Sequence, residues 1–289
     1  MDGGAVRLDE AVARASGSGG AQAVERAFQL LGLVAGGGAR GLSLGEAVAG
    51  SGLNKPTARR LLLALMRARM VEQDEESRRY RLGPQLYVLG QIASRRHGLL
   101  EVSGDALRRL AAASGDTAFL SMRRDDYAVC LHREEGSHPI RTHALQAGDQ
   151  HPLGVGAGSL AILAALSEPE VEAVLARIEP AVRESYAGYS LDVIREDVAQ
   201  ARIEGVALNP GRVLQNSWGL GRALRFPDGG VAGALSLAAI DGRMGEARRP
   251  ELARLLTEEA ARIETRLARM FRAEPDDTQA GTARSRRKA

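Results

Sequence analysis

Apolar residues in the N-terminal part of the chain recur with the period of a helix. A stripe with the i, i+3, i+4, i+7 spacing predicts a first helix that begins at Ala21 and ends at glycines 36–38. The stripe consists of Val24, Ala27, Phe28, Leu31 and Val34. Ser43, with Glu46 three residues later, predicts a capping box that opens a short second helix. The small residues 50–52 predict its end.

A third helix is predicted directly after this turn. Asn54 is its expected N-cap, and Pro56 fits the first turn, where the missing N–H breaks no intrahelical bond. One face of this helix is apolar, whereas the other carries Arg60 and Arg67 one heptad apart. The apolar positions are Ala58, Leu61, Leu62 and Leu65. The pattern therefore predicts one buried and one cationic face.

Two short strand patterns follow the third helix. Residues 70–73 and 79–82 are joined by a polar turn at 74–78, which predicts a β-hairpin. Three helices, with a tight glycine-containing turn between the second and third, followed by a hairpin, are typical of a winged helix-turn-helix. We therefore expect a disordered arm over residues 1–20 and a DNA-binding domain over residues 21–83.

The remainder of the chain predicts a linker helix over 84–98 and a second domain in which helical and strand patterns alternate. The apolar stripe of the linker contains Leu86, Leu89, Ile92 and Ala93. Helical patterns cover residues 99–114, 158–178, 190–204 and 250–272. Strand patterns lie near residues 117–123, 127–133, 140–146, 220–226 and 231–240. This mixture predicts an α/β sensor-like domain over 99–272, a disordered tail over 273–289, and an α+β fold class for the whole chain.

Length and composition favour two domains and exclude several classes of protein. The 289 residues exceed the size at which one hydrophobic core usually stops growing. With 44% hydrophobic and 26% charged residues, the composition is ordinary for a globular protein, and no apolar run is long enough to cross a bilayer. The N-terminus lacks the apolar segment of a secretory signal, and the single Cys130 forms no internal disulfide. We therefore expect a cytoplasmic protein without a membrane partner.

The net charge of +3 hides an asymmetry between the two domains. Residues 1–98 hold 14 Lys+Arg against 9 Asp+Glu, whereas residues 99–273 hold 21 against 24. A cationic N-terminal third predicts a polyanionic partner for that part alone. The residues best placed to reach base edges are Asn54, Lys55, Thr57, Arg59 and Arg60. The residues expected to hold phosphates are Arg26, Arg78, Arg79 and Arg81.

A second candidate site is the segment 151–166, in which three glycines directly precede an apolar helix that begins near Ser159. Free backbone N–H groups and the helix dipole at such a turn suit a carboxylate or phosphate. The G-x-G-x-G spacing, with no following lysine, differs from that of nucleotide loops and favours a small anionic effector. Glycines that serve close packing alone are the alternative.

A loop predicted over residues 209–222 is expected to complete this pocket. It contains Asn209, Ser217, Trp218 and Gly219. Trp218, the only tryptophan, serves either as an aromatic wall of the pocket or as a core residue.

Two groups of residues raise the question of metal binding and of hydrolysis. Four of the five histidines, His132, His138, His143 and His151, lie close together in the sequence. Their spacing matches no standard ligand motif, so we predict no metal site. Ser159, His151 and Asp149 lack the G-x-S-x-G elbow of hydrolases, so we predict no catalytic residue and no cofactor. An enzyme that acts on a small organic acid, with an N-terminal targeting module, is the alternative function, and a purely oligomerising C-terminal domain is another.

From about Ala21 to Phe271 the chain resembles the IclR-type family of bacterial transcriptional regulators. The matching segments are AVERAFQLL, LNKPTARRLLLAL, YRLGPQLYVLG, GYSLD, GVALNPG and GALSLAAI. The resemblance implies a winged helix for double-stranded operator DNA, a linker helix used in dimerisation, and a GAF-like C-terminal domain that binds a small effector. It also implies a homodimer or a dimer of dimers.

The resemblance places the effector-binding residues at Ala157, Gly158, Asn209, Ser217, Gly219 and Ser236. The chain departs from the family pattern at three places in this pocket. Gly154 replaces a histidine, Ser159-Leu160 replaces a glycine-lysine pair, and Gly219 replaces a cysteine. A pocket widened by glycine suits an aromatic or branched carboxylate better than a two-carbon acid. We therefore expect a regulator that responds to a small organic acid, and the sequence leaves repression and activation equally open.

Overall fold

The computed structural model describes residues 21–94, 98–140 and 145–273. The predicted architecture, an N-terminal winged helix-turn-helix and a C-terminal α/β domain, is confirmed. The N-terminal elements are α1 (Gln22–Gly36), α2 (Leu44–Ser51), α3 (Lys55–Arg67), β1 (Val71–Gln73), β2 (Tyr80–Leu82) and the linker helix α4 (Pro84–Ser94). The predicted disordered arm lies outside the described residues, as do residues 95–97 of the predicted linker.

The predicted caps set the ends of α2 and α3. The Glu46 N–H donates to Ser43 Oγ at 3.2 Å, and the Ser43 N–H donates to Glu46 Oε2 at 2.7 Å. Asn54 Oδ1 accepts the N–H of Thr57 at 2.9 Å. Gly52 ends α2 at a φ of 65°, a left-handed conformation that glycine adopts without a steric penalty. Local sequence therefore fixes the tight turn between the two helices.

The core of the N-terminal domain uses only part of the stripe predicted for α1. Leu30 and Val34 are fully buried against α2 and α3. In contrast, Val24 and Phe28 are 56% and 57% exposed. The buried face of α1 is thus rotated toward Leu30, and Val24 and Phe28 of the apolar stripe lie outside the core.

The wing is joined to the helices by backbone hydrogen bonds. Strands β1 and β2 pair antiparallel, with Val71 opposite Leu82. Tyr80 of β2 also exchanges two backbone hydrogen bonds with Leu42, at 2.7 and 2.9 Å. The segment before α2 therefore acts as a third short strand of the wing.

The C-terminal domain is built on an antiparallel sheet. Its helices are α5 (Leu99–Ser114), α6 (Ala157–Ala164), α7 (Glu168–Ser185), α8 (Leu191–Glu204) and α9 (Arg249–Ala273). Its strands are β3 (Thr117–Arg124), β4 (Tyr127–Glu134), β5 (Gln150–Pro152), β6 (Ala207–Pro210), β7 (Ser217–Arg225) and β8 (Val231–Ile240). Within the described residues these six strands have the order β5-β4-β3-β8-β7-β6.

Two hydrophobic cores lie on opposite faces of this sheet. Helices α5 and α9 cover one face, where Leu120 and Leu235 point. Helices α6, α7 and α8 cover the other, where Ala128 and Ala234 point. Because side chains alternate along a strand, Ser121 and Ser236 belong to the α6 face.

The structure corrects the helix predicted over 158–178, which is two helices. Helix α6 ends at Ala164, and α7 begins at Glu168. The Glu170 carboxylate accepts the N–H of Ser167 at 3.4 Å and its hydroxyl at 3.0 Å. This second Ser-x-x-Glu motif starts α7, so the break has a local cause.

Two short edge strands also differ from the prediction. Of the strand predicted near 140–146, residues 141–144 lie outside the described part of the chain, and the others are not in a strand. The edge strand of this region is instead β5. The loop predicted over 209–222 begins inside β6 and ends inside β7, so it is largely a β-hairpin.

The C-terminal helix α9 follows its predicted extent closely. It includes Ala273, the first residue of the predicted tail, and the rest of that tail lies beyond the described residues. No helix in the described ranges combines the length and hydrophobicity that a bilayer-spanning segment requires.

Candidate functional site

The first candidate site is the exposed face of α3. Lys55, Arg59 and Arg60 are exposed and form no ion pair with another described residue. The opposite face is buried through Ala58 and Leu62. An α-helix with such a cationic outer face fits the major groove of DNA.

Asn54 and Thr57 begin this helix. The side-chain oxygen of Asn54 is used for the cap, which leaves its amide nitrogen to donate outward. Thr57 is partly buried beneath the first turn. Arg26, the residue predicted to hold phosphate from α1, is also partly buried.

The three wing arginines that the sequence assigned to phosphate have different surroundings. Arg78 is exposed at the hairpin turn with a φ of 58°. Arg79 instead donates to the Gly41 carbonyl at 3.2 Å and to Glu46 at 2.6 Å. Arg81 pairs more loosely with Asp74 at 3.4 Å. Because Arg79 is held on both sides, it attaches the wing to α2 rather than projecting from it.

Glu46 is the second anchor of the wing. Its carboxylate accepts hydrogen bonds from the Ser43 backbone and the Arg79 guanidinium, and these lower the pKa of Glu46 to about 2. Sequence reasoning identified Glu46 only as a capping residue. Its pairing with Arg79 joins positions 33 apart in the chain, a distance over which local patterns carry no information.

The second candidate site is a cavity of about 570 Å³, counting the part open to solvent, between the sheet and the start of α6. All six effector residues predicted from the sequence line it. These residues are Ala157, Gly158, Asn209, Ser217, Gly219 and Ser236. The structure thus brings together positions from α6 and three different strands.

Two glycines of β7 let α6 approach the sheet closely. A Cβ at Gly221 would overlap the Ala157 carbonyl group, with the carbonyl carbon at 2.7 Å. A Cβ at Gly219 would lie 3.0 Å from that of Ala157. These two glycines therefore serve close packing, because interiors are too dense to absorb such contacts. Of the glycines in segment 151–166, for which packing was the alternative, Gly154 also has no room for a side chain, since its Cβ would lie 2.6 Å from Ile194 Cγ2.

Gly158 has a different environment, because it faces side-chain hydroxyls. A Cβ at this position would lie 3.2 Å from Ser236 Oγ and 3.4 Å from Ser121 Oγ. The missing side chain thus leaves both hydroxyls accessible at the first turn of α6.

The first turn of α6 carries backbone N–H groups without acceptors. Gly156 precedes the helix with a φ of 84°, and its N–H donates to Tyr189 Oη at 2.9 Å. The N–H groups of Ala157, Gly158 and Ser159 have no intrahelical acceptor. They lie at the positive end of the helix dipole, which stabilises an anion.

Tyr189 also orients Asn209. Its hydroxyl donates to Asn209 Oδ1 at 3.0 Å, and the Arg212 N–H donates to the same oxygen at 3.2 Å. Burial raises the pKa of Tyr189, so the phenol keeps its proton. With Oδ1 occupied twice, the amide nitrogen of Asn209 is left to donate toward a ligand.

The cavity is polar but uncharged. The hydroxyls of Ser121, Ser217 and Ser236 make no hydrogen bond to another described residue. No Lys, Arg, Asp or Glu occurs among the described residues that line the cavity. Any anion bound here is therefore held by N–H and O–H donors rather than by an ion pair.

His151 lines the same cavity and was not predicted as an effector residue. It is only 4% exposed, and its Nδ1 lies 3.1 Å from Tyr186 Oη. Burial lowers the pKa of His151 to about 4, so the ring is neutral near pH 7. The alternation of side chains along β5 would place His151 on a face of the sheet, but only if residues 150–152 were first recognised as a strand.

The residues of the hydrolytic alternative do not form a proton relay. The Ser159 hydroxyl donates to the carbonyls of Val155 and Gly156, the latter at 3.2 Å. Asp149 accepts the N–H of Gln146 at 2.8 Å. His151 contacts neither of them through a hydrogen bond that the described structure shows.

The histidines between 132 and 151 separate in space. His132 pairs with Glu134 at 3.3 Å, and His138 bonds to the carbonyl of Ile140 at 2.9 Å. His143 lies outside the described residues. In the part of the chain that the structure covers, no three His, Cys, Asp or Glu side chains come together as a metal site.

Trp218 has the role of a core residue. It borders the cavity, but its side chain packs with the core cluster on the α5 and α9 face. The guanidinium of Arg249 lies 5.1 Å from its ring centroid. Of the two roles left open by the sequence, the structure favours packing over an aromatic wall.

Comparison with known proteins identifies both halves of the chain. The family described as "Bacterial transcriptional regulator IclR C-terminal" matches residues 91–265, and "IclR helix-turn-helix domain" matches residues 23–75. A probable HTH-type transcriptional regulator, ArcR of Halobacterium salinarum, is 28% identical over 231 residues, or 79% of this chain and 88% of that protein.

Solved structures agree with this assignment. A putative IclR transcriptional regulator from Silicibacter sp. TM1040 is 26% identical, covers 85% of this chain and 96% of its own, and has a TM-score of 0.71. An IclR homologue from Microbacterium hydrocarbonoxydans, solved in complex with 4-hydroxybenzoate, shares the fold at 21% identity and a TM-score of 0.72. It covers 85% of this chain and 98% of its own.

Proposed function

The chain belongs to the IclR family of transcriptional regulators, and on that premise we propose that a small organic acid in the α6 cavity controls its binding to operator DNA. The family membership carries the DNA-binding part of this function. The observation that carries the sensing part is the cavity itself, which combines unpaired N–H groups with accessible hydroxyls.

The donors of the cavity favour an acid. Three N–H groups at the start of α6 converge with the hydroxyls of Ser121 and Ser236 around Gly158. A carboxylate accepts several such bonds at once, and the dipole of α6 adds to its stabilisation. Phe119 supplies an apolar wall, which suits an aromatic or branched acid. The Microbacterium relative, which shares this fold, holds an aromatic acid.

For DNA, we propose that α3 enters the major groove and that Arg78 of the wing contacts phosphate. The free guanidinium of Arg60 and the amine of Lys55 supply hydrogen-bond donors for base edges or phosphates. Arg79 contributes by fixing the position of the wing. Thr57, Arg59, Arg26 and Arg81 keep their predicted DNA-binding roles as part of this proposal.

We propose a homodimer, alone or paired with a second dimer, because apolar side chains of α1 and α4 remain uncovered. On α4, Tyr87 and Ile92 are 72% and 63% exposed, and Val88 and Leu89 are exposed beside them. Phe28 adds an apolar group from α1. Side chains of this kind commonly mark a subunit interface. A symmetric dimer would present two α3 helices to half-sites about 34 Å apart.

In this proposal the acid acts by selecting one arrangement of the two α3 helices. A ligand shifts such an equilibrium only if it binds one state more tightly than the other. Occupation of the α6 cavity therefore changes the fraction of dimers that match the operator spacing.

The test uses Gly158→Val, whose side chain would occupy the space beside Ser236 Oγ. Benzoate and its uncharged analogue benzamide serve as probes in calorimetry, followed by DNA titration with the native promoter fragment. We expect benzoate to bind about tenfold or more tightly than benzamide, since hydrogen bonds to a charged group are the stronger ones. We expect Gly158→Val to lose this binding while DNA binding without ligand stays within about twofold.

The matched control is Gly245→Val, an exposed glycine whose added Cβ would meet no atom within 4 Å. It should behave like the wild type in both assays. Unchanged benzoate binding in Gly158→Val would place the acid elsewhere, and preference for benzamide would reject an acid as the ligand class.

A further inference from the structure

The polar groups of the cavity come from both edges of the sheet. Asn209 lies on β6, at one end of the strand order, and His151 lies on β5, at the other. The donors at the start of α6 and the hydroxyl of Ser236 lie between them. A ligand anchored at α6 therefore has a second polar surface within the same cavity.

The side chain of His151 is on the cavity face of the sheet. It pairs directly with Ala128 of β4, and paired residues project to the same side. Ala128 itself lines the cavity and belongs to the core beneath α6 and α7. The imidazole is therefore enclosed on the same side of the sheet as the predicted effector residues.

Tyr186 holds the imidazole from outside the cavity. Its hydroxyl meets Nδ1 at 3.1 Å, and the two rings make an edge contact with centroids 5.7 Å apart. Tyr186 does not line the cavity, whereas His151 does. Nδ1 is thus occupied on the side away from the ligand, and Nε2 has no partner among the described residues.

Nε2 is accessible from the cavity rather than sealed inside the protein, so a water molecule or a ligand can complete its hydrogen bonding. The structural hydrogen bond to Tyr186 uses Nδ1 alone and leaves Nε2 without a structural role. The second nitrogen of His151 therefore indicates recognition of a polar atom inside the cavity.

We propose that His151 binds a second polar group of the effector, so that the ligand class is an organic acid with a hydroxyl or carbonyl group remote from its carboxylate. This inference rests on the proposed function, because the carboxylate is assigned to the start of α6. A neutral imidazole suits an uncharged hydroxyl or carbonyl and adds no positive charge for the carboxylate.

The experiment measures how much a hydroxyl adds to the affinity of an acid. Calorimetry on the full chain compares benzoate with 3- and 4-hydroxybenzoate, and butyrate with 4-hydroxybutyrate. The variants are His151→Phe, which removes both nitrogens, and His151→Gln, which keeps a donor and an acceptor. The control is His132→Gln, on the neighbouring strand, whose ring pairs with Glu134 instead.

We expect at least one hydroxy acid to bind the wild type about tenfold more tightly than its parent acid, the value of one good buried hydrogen bond. His151→Phe should reduce this gain to about twofold or less while the parent acid keeps its affinity. His151→Gln should retain part of the gain, and His132→Gln should retain all of it.

Other results would overturn either the role of His151 or the proposed function. An equal gain in wild type and His151→Phe, or no gain for any hydroxy acid, overturns the role of His151 and leaves acid sensing intact. Loss of the parent acid together with a lowered melting temperature in His151→Phe shows a structural role and also overturns the proposal. If no acid binds the wild type, or if Gly158→Val binds the acids normally, the proposed function itself fails.

Discussion

The α3 surface and the α6 cavity are built in opposite ways. The α3 surface consists of exposed, charged side chains that follow one another along a single helix, so its chemistry is local. The cavity is uncharged, and its groups come from both sheet edges and from the start of α6. Long-range attraction to a polyanion therefore needs only exposed charge, whereas recognition of a small molecule requires nonlocal packing to place a few neutral donors.

The largest effect we expect comes from breaking the close packing on which the cavity depends. Gly221→Val should destabilise the C-terminal domain by about 3 kcal/mol, because its side chain would collide with backbone at Ala157. Urea unfolding followed by circular dichroism measures the change. Gly245→Val should unfold like the wild type, and an equally stable Gly221→Val would show that α6 does not depend on this approach.

The α3 surface should respond to substitution in the opposite way, with loss of function and intact stability. Arg60→Ala should weaken binding to the native promoter by about 1–3 kcal/mol while thermal stability and acid binding stay unchanged. Fluorescence anisotropy with labelled duplex measures this. The control is Arg108→Ala, another exposed arginine, on α5. Equal promoter affinity of Arg60→Ala and wild type would remove α3 from the interface.

A smaller effect is expected for the hydroxyl that connects the glycine turn to Asn209. Tyr189→Phe removes the acceptor of the Gly156 N–H and the donor to Asn209 Oδ1. We expect a loss of stability of about 1–2 kcal/mol and an acid affinity lowered about tenfold, because Asn209 is no longer oriented. Scanning calorimetry measures the loss of stability, and titration calorimetry measures the acid affinity. An unchanged acid affinity would show that Tyr189 contributes to packing only.

The smallest effect is expected at the wing, where Arg78 and Arg79 should respond differently to substitution by alanine. Arg78→Ala should reduce the steepness of log affinity against log salt concentration by about 0.9, the contribution of one phosphate contact. The melting temperature should not change. Arg79→Ala should lower the melting temperature, because it releases Glu46 and Gly41. If Arg79→Ala changed only the salt slope, its ion pair would not be the anchor described here.

Local signals allowed much of the N-terminal domain to be predicted. The capping box at Ser43 and the cap at Asn54 act within one helical turn, so the sequence shows them directly. The sequence did not show which face of α1 is buried, because Phe28 and Leu30 both fit a helical stripe. Only packing against α2 and α3 selects Leu30.

The family resemblance identified six residues that line the candidate cavity. The sequence did not predict how the short edge strands build that cavity. Strands β5 and β6 are three and four residues long, too short for alternation to identify. The contribution of His151 depends on the pairing of β5 with β4, which joins residues 23 apart at Ala128. The start of α7, in contrast, could have been predicted from the capping motif formed by Ser167 and Glu170. It was missed because the apolar pattern over 158–178 was interpreted as one helix.

The proposed function requires that α3 binds DNA sequence-specifically and that the α6 cavity controls this binding. Its most direct test is anisotropy titration of the native promoter fragment against random duplex at moderate salt, with and without a bound acid. We expect the wild type to prefer the promoter by at least about a thousandfold, and we expect the acid to change this preference in the wild type but not in Gly158→Val. Equal affinity for both duplexes under all conditions would show that α3 does not recognise a DNA sequence.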